Sequence, residues 1–140
     1  HAGINLAGFT SAWIIENNKF YQQATRTLTS GVQVSGIYIN NTAGVNFTIR
    51  GNQIGGTAAD GTGTMTYTST TAPLYSGIHL LIGSGVESVI ENNQISNIAC
   101  TTTSTGTSAN GVFSGIYLGS SAVAKVIGNT IGSSTGTGSI

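Results

Sequence analysis

Gly77-Ile78-His79-Leu80, followed sixteen residues after its glycine by Asn93-Gln94-Ile95, is the stretch that decides how this chain folds. The same grammar is written at Gly36-Ile37-Tyr38-Ile39 with Asn52-Gln53-Ile54, and at Gly115-Ile116-Tyr117-Leu118 with Asn129-Thr130-Ile131. A looser copy runs from Gly3-Ile4-Asn5-Leu6 to Asn18-Lys19-Phe20. Successive asparagines lie 34, 41 and 36 residues apart. A recurrence in this range marks a solenoid, whose repeats bury their apolar faces only against one another.

Aligned on the asparagine, Ile15, Ile49, Ile90 and Val126 fall three residues before it, and Phe20, Ile54, Ile95 and Ile131 two residues after it. In the Gly-Ile strand, Ile4, Ile37, Ile78 and Ile116 share a column with Leu6, Ile39, Leu80 and Leu118 two residues on. Residues two apart face the same side of a strand. No apolar stripe of helical period persists, and Gly, Thr and Asn disfavour helix interiors. The expected architecture is therefore all-β: about four wide rungs stacked about 4.8 Å apart. A bend between strands turns peptide groups inward, and an amide supplies both donors and an acceptor for them. Asn18, Asn52, Asn93 and Asn129 are accordingly expected to form a structural ladder. The long excursions after each asparagine are expected to carry one further strand each, in fragments such as Thr64-Met65-Thr66-Tyr67 and Gly111-Val112-Phe113-Ser114. The Thr101–Ser108 run is low in complexity and reads as mobile.

This grammar resembles the right-handed parallel β-helix repeat family, most clearly over Gly36 to Ile54 and Gly77 to Ile95. The family includes polysaccharide lyases, polygalacturonases, phage tailspikes and long secreted surface proteins. The Asn-x-Ile-Gly style, followed by Thr and Gly, also resembles the very large cell-surface and gliding-associated adhesins of Bacteroidota. The resemblance implies a right-handed coil and a structural or adhesive shaft, extracellular or on the cell surface. Residues 1–140 form one parallel β-helix segment, and because the pattern is cut rather than capped, the expectation is a fragment of a longer chain.

Composition narrows the function classes. Charged residues are 6% of the chain, against about a quarter in a typical soluble domain, and formal net charge is zero. Without a basic patch, nucleic acid is not an expected partner. No run reaches the length of a membrane helix, so membrane insertion is not expected. The single cysteine, Cys100, excludes an intrachain disulfide framework and reads as a small hydrophobe near the end of a strand. No cofactor motif and no metal-ligating spacing is present, His1 and His79 included.

Two outward columns carry the remaining candidates. Glu16, Arg50 and Glu91 fall two residues before the ladder asparagine. The arginine would stand between glutamates about 9.6 Å apart, near the upper limit for an inverting glycosidase pair. A cation between them keeps both ionised and removes the proton donor, so a surface charge ladder is the expectation. A polysaccharide lyase or hydrolase is the alternative. Tyr38, His79 and Tyr117 form an aromatic column that offers a ligand-binding strip for surface glycans, or a contact with other copies of an assembly. Its bland reading is packing along the sheet. Trp13 and Phe47 share a column on the inward face, where core packing is expected.

Overall fold

The computed structural model describes residues 1–29, 31–71, 73–103, 112–119 and 121–133. Its described residues contain fifteen strands and no helix. Coil 1 contributes β1 (Ala2–Ala7), β2 (Ile14–Glu16), β3 (Lys19–Phe20) and β4 (Arg26–Leu28). Coil 2 contributes β5 (Gln33–Asn41), β6 (Thr48–Arg50), β7 (Gln53–Ile54) and β8 (Met65–Ser69). Coil 3 contributes β9 (Leu74–Ile82), β10 (Ser88–Glu91), β11 (Gln94–Ile95) and β12 (Ile98–Thr102). A fourth coil adds β13 (Phe113–Leu118), β14 (Ala124–Ile127) and β15 (Thr130–Ile131). Strands equivalent between coils pair in parallel, giving the sheets β1-β5-β9-β13, β2-β6-β10-β14, β3-β7-β11-β15 and β4-β8-β12. The chain is a parallel β-solenoid of about three turns.

Register follows the sequence columns. Ile4, Ile37, Ile78 and Ile116 pair in line, as do Ile15, Ile49, Ile90 and Val126. Each aliphatic therefore packs on its counterparts one coil above and below. The consequence is a gradient of burial: Ile90 is 0% exposed in coil 3, whereas Val126, its partner in coil 4, is 45% exposed. The excursions do hold a further strand each, and β4, β8 and β12 close the coil as its fourth side. In the third excursion that strand is β12, while the fragment at Phe113 belongs to β13. Cys100 lies inside β12, opposite Tyr67. Of the Thr101–Ser108 run, Thr101 and Thr102 are also in β12, and residues 104–108 lie outside the described residues. Phe47 is fully buried over Ser88, whose Oγ accepts its N–H at 3.0 Å. Trp13 is in the same column but half exposed, because it stands in coil 1, which has a coil on one side only among the described residues.

Two glycine columns set the shape of the coil. The residue before each ladder asparagine (Asn17, Gly51, Asn92, Gly128) has φ near +60°, which only Gly and Asn adopt at low cost. The alternation is steric as well: a Cβ on Gly51 would lie 2.6 Å from Asn17 Oδ1, and Gly128 stands likewise beside Asn92. Gly36, Gly77 and Gly115 form the second column. There, a Cβ on Gly77 would meet Gly115 O at 2.7 Å and Ile95 at 2.8 Å. Backbone occupies that space, so nothing can yield. Gly77→Ala is expected to lower stability by about 2 kcal/mol, measured as a shift of the urea midpoint. Gly85→Ala, whose Cβ would make only an ordinary contact at 3.6 Å, should stay within about 0.5 kcal/mol of the parent. Equal midpoints would show that the close approach at Gly77 imposes nothing.

Candidate functional site

The asparagine column lies at the bend between the second and third sheets. Asn18 N–H and Nδ2–H both donate to Asn52 Oδ1 at 3.0 Å. Asn52 donates in the same way to Asn93 Oδ1 at 3.0 and 2.9 Å, and Asn93 to Asn129 Oδ1 at 2.9 and 2.8 Å. The same amides reach back: Asn52, Asn93 and Asn129 Nδ2 donate to Ile15, Ile49 and Ile90 O, each in the preceding coil, at 2.8–2.9 Å. Asn52 and Asn93 are each 1% exposed. In the middle coils the amides of Asn52 and Asn93 thus satisfy peptide groups that water cannot reach.

The aromatic column stands on the outer face of the first sheet. Asn5, Tyr38, His79 and Tyr117 are in register across its four strands. His79 stacks on Tyr117 with centroids 4.3 Å apart and planes 23° apart, and meets Tyr38 edge to face at 5.2 Å. Ring faces are therefore taken up largely by one another. Although it points outward, His79 is only 8% exposed. The Gln33 side-chain amide donates to its Nδ1, and Ser76 Oγ lies 3.3 Å from the same atom. With Nδ1 accepting, the neutral ring carries its proton on Nε2. Gln33, Ser76, Ser114 and Tyr117 line a shallow groove of about 230 Å³ around this imidazole. Gln33 and the hydroxyl column Ser35, Ser76 and Ser114 were not singled out by sequence reasoning. The repeated Ser-Gly-Ile triplet was the signal available for the serines; nothing marked Gln33, which is 46 residues from its partner.

The charged column is in register as Glu16, Arg50, Glu91 and Ile127. Arg50 Nε donates to Glu16 Oε2 at 2.7 Å, with both side chains nearly half exposed. Among the described residues Glu91 makes no ion pair. The two glutamates therefore sit in different environments, one tied to a guanidinium and one open. Burial pushes the Cys100 thiol up to about 11, which keeps it protonated and unreactive at neutral pH. Among the described residues no group of three or more His, Cys, Asp or Glu is placed to hold a metal ion, and no helix is long and apolar enough to cross a membrane.

Compared with protein-family models, with curated proteins and with solved structures, the chain has no match.

The ladder and the imidazole each generate a prediction. Asn93→Ala leaves the Asn52 N–H without its acceptor and Ile49 O without the Asn93 Nδ2 donor in a buried place, and is expected to cost about 3 kcal/mol or more. Asn18→Ala removes only donors at a more open position and should cost under about half of that. Denaturant unfolding of both variants checks the ratio. Burial lowers the His79 pKa below its usual 6.5. The unfolded chain then takes up a proton before the folded one, so His79 favours folding above about pH 6.5 and that contribution is lost as pH falls through the folded value. The melting temperature should drop between pH 7.5 and pH 5 (values chosen to bracket about 6.5), and His79→Gln should flatten that drop. An unchanged slope would contradict the assignment.

Proposed function

We propose that this chain is a shaft segment of a large secreted or cell-surface protein of the adhesin type, and that its work is mechanical. The observation that carries this reading is the amide ladder, continuous through four coils and sealed where Asn52 and Asn93 stand. Four sheets hydrogen-bonded from coil to coil resist bending and leave few backbone groups for a protease to capture. Low charge lets coils stack without mutual repulsion. On this reading the Tyr38–His79–Tyr117 column is a rigid uncharged edge that contacts glycans or neighbouring copies of the assembly. The hydroxyls of Ser76 and Ser114 beside it supply the hydrogen-bonding groups that such contacts use. The lyase or hydrolase reading draws less support, since the Glu16 carboxylate is held by Arg50, which stands in register between it and Glu91.

Two measurements test the parts separately. Under proteinase K, a fragment covering coils 2 and 3 is expected to persist long after an unfolded control is consumed; digestion at the control's rate would contradict a shaft. On a glycan array, any signal should fall at least about tenfold in Tyr38→Ala and Tyr117→Ala. A signal that survives both substitutions would move glycan contact away from this column.

A further inference from the structure

The outer side of the second sheet carries a charge pattern that is complementary to itself. With Ile15, Ile49, Ile90 and Val126 turned inward, two columns face away from the core: Ile14-Thr48-Val89-Lys125 and Glu16-Arg50-Glu91-Ile127. Ile14 is 60% and Ile127 44% exposed. Both point outward, so this apolar surface is not an end of the core laid open. Two charged groups in the middle of the face have bonding capacity to spare. Arg50 gives only Nε to Glu16, and its terminal nitrogens have no partner among the described residues. Glu91, next in the column, makes no ion pair among them, and neither does Lys125 in the following coil.

A two-fold axis laid along the strands, between coils 2 and 3, inverts the stack and keeps the strand direction. It sets coil 2 of one copy over coil 3 of the other, and coil 1 over coil 4. Arg50 then faces the second copy's Glu91, twice over by symmetry, and Thr48 faces the second copy's Val89. At the margins, Ile14 and Glu16 meet the second copy's Lys125 and Ile127. There the two aliphatics lie across one diagonal and the opposite charges across the other, within reach of long side chains. An axis along the stack would instead set Arg50 over Thr48 and Glu91 over Val89, and no opposite charges would meet. Charge selects the inverted arrangement.

We propose that this face joins two copies of the chain side by side and antiparallel, with Arg50 shared between its own Glu16 and the second copy's Glu91. A guanidinium serves two carboxylates at once, through Nε and through its terminal nitrogens. A two-fold contact requires a patch complementary to itself, and this face meets that requirement. Four coils about 4.8 Å apart fall short of the about 800 Å² per partner of a standard interface. The pair is therefore weak, with a dissociation constant of about 100 µM. Neither the ends of the stack nor the shaft reading enters this argument.

Sedimentation equilibrium of the 140-residue chain from about 10 µM to about 1 mM brackets that constant. The parent should pass from monomer to dimer across the range. Arg50→Glu and Glu91→Arg each set like charges face to face and should weaken pairing at least about tenfold. Mixed in equal amounts, the two variants should pair as well as the parent, because each offers the charge that the other lacks. Circular dichroism checks that each variant folds. Should Arg50→Glu fail to fold, Glu91→Arg must still weaken pairing more than Glu91→Gln does. The proposal is overturned if the parent stays monomeric at about 1 mM, or if the mixture of folded variants does. It is equally overturned if either single variant pairs like the parent, which would place the contact at the coil ends.

Discussion

One asparagine oxygen accepting two N–H groups from the coil before it is the contact on which the rest of this structure depends. The main-chain N–H and the Nδ2–H of one ladder residue converge on the Oδ1 of the next, so both position and orientation of neighbouring coils are fixed together. A slip of one residue would turn every inward aliphatic outward. Few other side chains suit the place. Aspartate would remove the Nδ2 donors and stack like charges, and serine lacks the second donor needed for the carbonyl of the preceding coil. The left-handed residue before each ladder position completes the requirement, since it turns the chain so that the amide points inward.

From that register the core follows. Columns of Ile and Leu lie directly over their own kind, and the middle coils seal them most completely, as Ile90 and Val126 illustrate. Register also reaches the surface. His79 is placed between Tyr38 and Tyr117 because the strands that carry them are in line, and the ring stacking then excludes water from a side chain that faces outward. Its lowered pKa follows from that burial.

The ladder and the aliphatic columns were legible in the sequence because one residue type recurs at each position, and the strand period of two then assigns faces. The fourth strand of each coil was legible only in part. Thr64-Met65-Thr66-Tyr67 points to β8, but the excursions differ in length and composition, so no pattern marks β12, and the alternation at Phe113 reads as an extra strand although it opens β13. The column with Phe47 points Trp13 to the core, yet in coil 1 the indole is half exposed while Ile15 of the same coil is buried. The burial of His79 was hidden for another reason: it depends on two flanking rings and on Gln33, a contact between residues 46 apart that no local pattern encodes.

Side-chain amide hydrogen exchange at the ladder tests the central claim most directly. If successive coils are locked by these bonds, the Nδ2 protons of Asn52 and Asn93 should exchange orders of magnitude more slowly than those of a solvent-exposed amide such as Asn40. Rates for Asn52 and Asn93 equal to that of Asn40 would mean that the coils are not joined in this way.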